Sequence, residues 1–488
     1  MFVFYFLVLW LVHFGEDYFS SSIYLKEGLF CVKMKILLVY PPFCTPASPP
    51  HSLVHLYQFL RDNLDSSFDL KIMDLNAVFH NMKWKDVGDY FRRFNTNYSA
   101  EEYERISKAY MKESTLTYAE NNKRVVHGEN PELCDELIRQ LIDQKPNVVA
   151  MSIVYSSQVF YAYSLLLKLR ALGIKTIVGG PAVNQKLKDA ATLTLSNEVE
   201  LLEEVSGKKV EHAHLKVDGA LDFSVLNWKE YFVPEAVLPL RTSISCYYKQ
   251  CAFCTHHGNR KYVELPLTEL RDTLIRSGSK KVFFMDDMIP RKRLLEIAAV
   301  LKPLQVLWMC QLRPTRDLDV ETLKILHDSG LVSIIWGVEA GSDRILTLMK
   351  KGTNVEDIKR VLKCSADAGV LNCLYILFGF PTETKEEFKE TIALLRENKE
   401  IISMVISTIF GLQQDAPIFV DPHHYGVEKI EFKERTILEP KIVYTVSCGL
   451  SQEEATVLRK RYKHFLEGMN KYPAAMNFFR EHFLCLKR

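Results

Sequence analysis

From residue 34 onward, short apolar runs alternate with stretches whose apolar positions recur every three or four residues. That is the pattern of parallel strands joined by crossover helices. The first series predicts strands at 35–40 (KILLVY), 70–74 (LKIMD), 147–153 (NVVAMSI) and 174–178 (IKTIV), with helices at about 51–62 and 157–172. A polar, Lys-, Glu- and Tyr-rich insertion of helical character fills 77–145. Gly179-Gly180-Pro181 closes the fourth strand. The expected fold here is a small doubly wound (Rossmann-like) α/β sheet, whose ligands sit at the strands' carboxyl ends.

A mixed stretch at about 185–235 leads to a second series, with strands predicted at 237–245, 281–286, 305–311, 333–339, 371–378 and 402–409. Helices are predicted between them near 267–277, 291–301, 320–329, 354–368 and 383–397. Six repeats fall short of the eight of a complete barrel, so a partial (β/α)6 barrel is expected. The expected division is an apolar extension over 1–33, an α/β domain over 34–205, a linker over 206–235, the barrel over 236–412 and a mixed C-terminal tail over 413–488. The tail's basic amphipathic helix, about 451–467, reads as a packed, solvated face.

Composition narrows the class. The 488 residues are 48% hydrophobic and 25% charged, which excludes a disordered or collagen-like chain. A net charge of +2 gives no sign of a nucleic-acid partner. Eleven cysteines are odd in number and too sparse for a disulfide scaffold, so a reducing, cytoplasmic setting with a few thiols reserved for metal is expected. Residues 2–12 (FVFYFLVLWLV) are unbroken apolar, but Glu16 and Asp17 follow too soon for a spanning helix. No basic residue precedes the run and no small-residue cleavage site follows, so a signal peptide fits poorly. It reads as an over-long translation start or an unattached extension, and membrane association is expected only through 1–33.

The strongest chemical signal follows the first barrel strand: Ser245-Cys246-Tyr-Tyr-Lys-Gln-Cys251-Ala-Phe253-Cys254. Three thiols in nine residues can converge on one soft metal centre. One reading is a zinc knuckle completed by His256 or His257. The other is an iron–sulfur cube in which three thiolates leave one iron open. No second ligand pair follows at longer spacing, which favours the cube. Cys310, Cys364 and Cys373 lie in apolar patterns and read as core thiols.

This loop resembles the cluster-binding segment of the radical S-adenosylmethionine (radical SAM) superfamily, Cys-x3-Cys-x2-Cys with an aromatic before the last Cys. Phe253 holds the aromatic place, while four residues rather than three separate Cys246 from Cys251, and Ser243-Ile244-Ser245 replaces the common Ser-Arg-Gly. Further resemblances follow in order: Phe283-Phe284-Met285-Asp286-Asp287; Trp308 through Arg313 leading to Asp317–Gly330; Gly337-Val-Glu339-Ala-Gly341-Ser342-Asp343 with Met349-Lys-Lys-Gly352; and Phe378-Gly379-Phe380-Pro381-Thr382-Glu383-Thr384. The resemblance covers about 236–410. It implies that Cys246, Cys251 and Cys254 ligate a 4Fe–4S cluster, and that Phe253, Asp287, Gly337, Glu339, Gly341, Ser342 and Gly379 lie against S-adenosylmethionine (SAM). It further implies reductive SAM cleavage to a 5′-deoxyadenosyl radical, with electrons from a donor such as ferredoxin or flavodoxin.

The first domain is similar to the cobalamin-binding domain that precedes such barrels, through Leu37-Leu38-Val39-Tyr40-Pro41-Pro42, Ser152 and Gly179-Gly180-Pro181. That implies a cobalamin against Ser152, Gly179 and Gly180, and methyl transfer to an unactivated carbon of a peptide, protein or natural-product substrate. Asp421-Pro-His423-His-Tyr-Gly426 fits Asp-x-His-x-x-Gly, a source of cobalt-ligating histidine, but stands in the tail and reads as structural. The alternatives are a cobalamin-free radical SAM rearrangement or cyclisation enzyme and, more distantly, a zinc-stabilised binding protein without turnover. A methylthiotransferase would need a second cluster in the first domain, where Cys31, Cys44 and Cys134 are poorly spaced.

Overall fold

The computed structural model describes residues 33–211, 215–216, 219–255 and 260–486. The apolar run of the expected N-terminal extension and the pair His256–His257 lie outside the described residues. Strands β1 (Met34–Tyr40), β2 (Phe68–Asp74), β3 (Val148–Ser152), β4 (Lys175–Gly179) and β5 (Leu193–Thr194) form one parallel sheet in the order β2-β1-β3-β4-β5. This is a doubly wound sheet whose strand order reverses between β1 and β3. Side chains alternate across the pleat, so β1 sends Ile36 and Leu38 into one apolar layer and Leu37 and Val39 into the other. Helices His51–Asn63 and Glu198–Ser206 cover the first face, and Val159–Ala171 covers the second. β5 and the short helix Gln185–Ala190 extend the sheet into the stretch expected to be mixed. A two-residue strand is too short to carry a periodic signal.

The insertion folds as helices Leu75–Lys83, Lys85–Phe91, Ala100–Val126 and Cys134–Asp143. Its polar reading hid its packing: the long helix buries Tyr103, Ser107, Tyr110, Ser114, Thr117 and Asn121, with Val125 the one aliphatic residue among its buried positions. Phe79, Trp84, Phe91, Tyr103 and Tyr110 build a cluster of aromatic rings that also takes in Phe232 and, from the tail, Phe479 and His482. Tyr103 donates its hydroxyl to His482 Nδ1 at 2.7 Å, and Nε2 donates to the Phe232 carbonyl at 2.6 Å. One neutral imidazole thus ties insertion, connector and tail together.

The second sheet contains β6 (Leu238–Leu240), then β9 (Lys281–Phe284), β10 (Leu307–Leu312), β11 (Leu331–Glu339), β12 (Leu371–Phe378) and β13 (Met404–Ile409). All are parallel and in sequence order, as a partial (β/α)6 barrel requires. The strand expected at 237–245 is broken in two. After β6 the chain turns into β7 (Ser243–Ile244), which pairs antiparallel with β8 (Val263–Glu264). The break has a physical cause: the Thr242 N–H donates to the Asp286 carboxylate at 2.9 Å instead of to a strand ladder. The barrel helices Leu267–Ser277, Arg291–Leu301, Val320–Asp328, Val355–Asp367 and Lys385–Glu397 lie within two residues of expectation. Side-chain caps open three of them, with Asp319 accepting from Thr322 N, Asn354 from Asp357 N and a Thr384/Glu387 capping box on the last, while Pro266 and Pro290 precede the other two.

The tail contributes a hairpin of β14 (Val427–Lys433) and β15 (Lys441–Val446), helices Gln452–Arg461 and Lys463–Glu467, and a closing turn Arg480–Cys485. The basic helix is a packed face, since Arg459 donates to the Ser407 hydroxyl and carbonyl at 3.0 and 2.7 Å. No helix among the described residues is long and apolar enough to cross a membrane.

Burial holds the His482 imidazole down at about 3, against about 6.5 in an unfolded chain. The unfolded state therefore takes up the proton first as pH falls, and what His482 contributes above pH 6.5 is lost on the way down to 3. Replacing His482→Asn destabilises the protein at pH 7, and denaturant titration should show that deficit shrinking by about 2 kcal/mol between pH 7 and pH 5. A deficit that stays constant over that range contradicts this placement of the imidazole.

Candidate functional site

Residues 245–254 leave the carboxyl end of the first barrel strand as an irregular loop, and its course is set by anchors on neighbouring elements. At its root Asp286, 3% exposed, accepts from Thr242 N at 2.9 Å, Thr242 Oγ1 at 3.1 Å and Ser243 Oγ at 2.6 Å. Burial pushes the Asp286 carboxyl up while these donors pull it down. Mid-loop, Ala252 N donates to the Met349 carbonyl at 2.9 Å and the Tyr248 hydroxyl to the Lys350 carbonyl at 2.8 Å. Arg313 lies 3.6 Å over the Tyr248 ring and donates to the Lys351 carbonyl at 2.9 Å. A Cβ at Gly352, whose φ is +67°, would collide with the Tyr248 hydroxyl. From the tail, Ile418 N donates to the Ala252 carbonyl at 2.9 Å, and Thr255 donates to Gln413 Oε1 at 2.9 Å.

Cys246, Cys251 and Cys254 are partly exposed thiols on this loop, and none of them is in a disulfide. Burial raises the Cys251 thiol, while the cations of Lys351 and Arg313 draw it down. Lys351, itself buried, pairs with Glu339 at 2.8 Å and lies 5.6 Å over the Phe253 ring. Glu339 adopts φ +68° where β11 breaks register with β12, between Gly337 and Glu339. A non-glycine residue held in that region is strained backbone of the kind that clusters at ligand sites. A Cβ on Gly337 would stand 2.8 Å from Lys351 Nζ and 2.9 Å from Glu339 Oε1. The expected residues Cys251, Phe253, Gly337 and Glu339 thus meet around one lysine.

Others are engaged elsewhere. Gly341 N donates to Thr391 Oγ1 at 2.8 Å and Ser342 Oγ to Glu387 Oε1 at 3.1 Å, so both pack on helix Lys385–Glu397. Gly379, with φ +74°, donates its N–H to the Glu383 carboxylate and backs onto Ala455. Asp287 follows the anchor Asp286, and both charges act on Arg241.

The donor set suits a soft metal centre: three thiols free of disulfides, with two cations bearing on Cys251. Among the described residues no three His, Cys, Asp or Glu side chains are already gathered into a metal cage. Ligand bonds supply that last closure when a metal centre forms on such a loop.

Two cavities lie at strand ends. One of about 680 Å³ is bounded by Tyr40 and Asp74 at the ends of β1 and β2, by Tyr155 after β3, by Phe283 and Met285 of the barrel, and by Arg480 and Glu481 of the tail. The other, about 350 Å³, lies over Ser152, Gly179 and Gly180, with His55, Asn197 and Arg241 also in its wall. A Cβ at Gly180, whose φ is +117°, would strike the Ile153 carbonyl, so only glycine keeps this backbone close. The slot can therefore admit a flat or nucleoside-sized group. The Asp421–Gly426 run stands away from both cavities' lining residues, with His423 and His424 exposed and Gly426 packed on Thr382.

Sequence reasoning passed over Asp286, Arg313 and Lys351 as individual residues, although all three stood inside the motifs it singled out. Arg480 left no local signal.

Comparison with known proteins bears on this arrangement. Residues 242–395 match the radical SAM superfamily. An anaerobic magnesium-protoporphyrin IX monomethyl ester cyclase from Rubrivivax gelatinosus is 26% identical over 191 residues, 36% of this chain and 34% of the cyclase. A tRNA-2-methylthio-N(6)-dimethylallyladenosine synthase from Thermotoga petrophila is 28% identical over 170 residues, 30% of this chain and 38% of the synthase. The chain thus spans about a third of the length of the curated relatives it matches. Among solved structures, the radical S-adenosylmethionine methyltransferase TsrM from Kitasatospora setae, with cobalamin and a 4Fe–4S cluster bound, superposes with a TM-score of 0.59 at 14% identity, covering 87% of each chain. The cobalamin-dependent radical enzyme OxsB, with aqua-cobalamin and SAM bound, gives 0.60 at 14% identity, covering 90% of this chain and 67% of OxsB. At that identity the likeness is one of fold, and it extends over both domains.

The Asp286 anchor is testable on its own. Asp286→Ala leaves buried donors of Thr242 and Ser243 unpaired, at a cost of ~1–3 kcal/mol. It should lower the denaturation midpoint and reduce the iron retained after anaerobic reconstitution. Wild-type iron content in a destabilised variant would show that the loop holds its course without the carboxylate.

Proposed function

Since residues 242–395 form a radical SAM domain, we propose that the chain is a radical SAM enzyme whose first domain carries a corrinoid used to methylate an unactivated carbon. The observation that carries this reading is the chamber of about 680 Å³ bounded by strand ends of both domains, Tyr40 and Asp74 on one side and Phe283 and Met285 on the other. A substrate in that chamber stands between the ligand edge of a doubly wound sheet and the interior of the barrel. The working division is a corrinoid domain over 34–205, a linker over 206–235, the barrel over 236–412 and a tail over 413–488.

When bound, cluster and SAM supply a carbon radical able to abstract hydrogen, and the corrinoid supplies a transferable methyl group. Cys246, Cys251 and Cys254 would ligate the cluster. Lys351 and Arg313 offset negative charge at Cys251. Glu339, fixed by Lys351, presents a carboxylate at the end of β11 that can accept from an ammonium group. Ser152, Gly179 and Gly180 keep the first domain's slot open. Inside the barrel Tyr375 donates to Gln311 Oε1 at 3.3 Å, and Arg480 lies 5.4 Å over the Tyr375 ring. Arg480 brings a cation to the chamber wall, suited to an anionic group on a small-molecule or peptide substrate. The tail residues Arg480 and Glu481 close one side of the chamber and limit water there. Electrons would come from a small reduced carrier such as ferredoxin or flavodoxin. Eleven cysteines in 488 residues are too sparse for a disulfide scaffold, which suits a reducing compartment such as the cytoplasm.

Anaerobic reconstitution with iron, sulfide and aquocobalamin tests the reading. About four irons per chain, one corrinoid and SAM-dependent release of 5′-deoxyadenosine are expected. A variant with Cys246, Cys251 and Cys254 all changed to Ala should lose the iron and keep the corrinoid. Stoichiometric zinc without iron overturns the radical chemistry. A full cluster without retained corrinoid overturns the methyl-transfer part alone.

A further inference from the structure

Arg241 belongs to the barrel side of the domain junction, between β6 and Thr242, yet it lines the slot over the first domain's sheet. Among the described residues its guanidinium has no hydrogen bond and no ion pair, and its Nε is buried without a partner. Glu198, Asp286 and Asp287 all bear on it in charge without an ion pair to it, and the first two are committed to other groups. Glu198 opens helix Glu198–Ser206 and stands 3.8 Å from His55 Nε2, while Asp286 is taken up by Thr242 and Ser243. Arg260, also in the slot wall, adds like charge rather than relief. His51, stacked on His55, lines the slot too and is held neutral by burial and by the Arg241 charge.

The slot therefore has two unlike walls. On one side Ser152, Gly179 and Gly180 bring bare backbone close to any occupant. On the other, a desolvated arginine offers donors with no acceptor, in the planar fork that matches phosphate oxygens. A nucleoside-sized group with one phosphate anion meets both demands. The nucleotide loop of a complete corrinoid is such a group, joining its base and ribose to the macrocycle through a single phosphodiester.

We infer that Arg241 anchors the phosphodiester of the corrinoid's nucleotide loop, so that the chain selects complete cobalamin over cobinamide, which lacks that loop. The inference rests on the corrinoid reading of the first domain. It also gives the junction a coupling. The residue that grips the ligand directly precedes Thr242 and Ser243, which Asp286 holds at the root of the cysteine loop.

Equilibrium titration of the full-length protein, followed by corrin absorbance, separates the possibilities. Wild type should bind aquocobalamin roughly tenfold or more tighter than diaquocobinamide. Arg241→Met should abolish that preference by weakening cobalamin alone, with unchanged cobinamide affinity showing that the fold is intact. Equal affinities in wild type, or a preference that survives in the variant, overturn the inference and leave the corrinoid reading standing. Adenosine monophosphate displacing cobalamin from wild type would assign the slot to free nucleotides and overturn it too. Failure to bind either corrinoid overturns the reading on which it rests.

Discussion

A loop that carries three thiols has no ladder of its own, so its course must be imposed by groups that persist whether or not a metal is bound. Here that constraint is met at two points. Asp286 takes the donors of Thr242 and Ser243 and so ends the first barrel strand early. The carbonyls of Met349, Lys350 and Lys351 then form a bed for Ala252, Tyr248 and Arg313. The bed also delivers chemistry, because the side chain of Lys351 turns back to meet Glu339 and Phe253 and lowers the cost of a thiolate at Cys251. The register break at β11, the strained Glu339 backbone and the bare Gly337 and Gly352 are concessions to this one junction.

The two sheets are held together by more than the stretch of chain between them. The helical insertion of the first domain, the connector residue Phe232 and the end of the tail share one aromatic cluster, centred on a neutral His482 with both ring nitrogens engaged. That cluster fixes the closing turn, and with it Arg480 and Glu481, at the edge of the chamber. A chamber bounded by both sheets and walled on one side by the tail offers radical chemistry a partly enclosed site, and such chemistry needs a reactive carbon kept from water and stray hydrogen donors.

Much of this was legible in the sequence, for physical reasons. Parallel strands buried on both faces read as unbroken apolar runs, and Pro266 and Pro290 stand directly before two of the intervening helices, so the limits of β12 and of helices Leu267–Ser277 and Arg291–Leu301 coincide with expectation. The cysteine spacing singled out the loop that the Asp286 and Met349 anchors position. What stayed hidden was either long-range or ambiguous within one step. Asp286 and Asp287 are adjacent, and only the fold decides which turns inward to the Thr242 backbone. In the β14–β15 hairpin only β15 is mostly apolar, while β14 is largely exposed and charged, so the pair did not stand out as two strands. The insertion looked solvated because the buried face of its longest helix is mostly tyrosine, serine and threonine. The reach of Arg480 to Tyr375, and of Arg241 to the first domain, depends on contacts no local pattern records.

The central claim is that one chain holds a three-thiol iron–sulfur cluster and a corrinoid on opposite sides of a single interdomain chamber. An anaerobic crystal structure of the reconstituted protein, with anomalous maps at the iron and cobalt edges, addresses it most directly. The account predicts an iron peak bonded to Cys246, Cys251 and Cys254 and a cobalt peak on the chamber's first-domain wall, near Tyr40 and Tyr155. Zinc at the thiols, or cobalt outside the chamber, would contradict it.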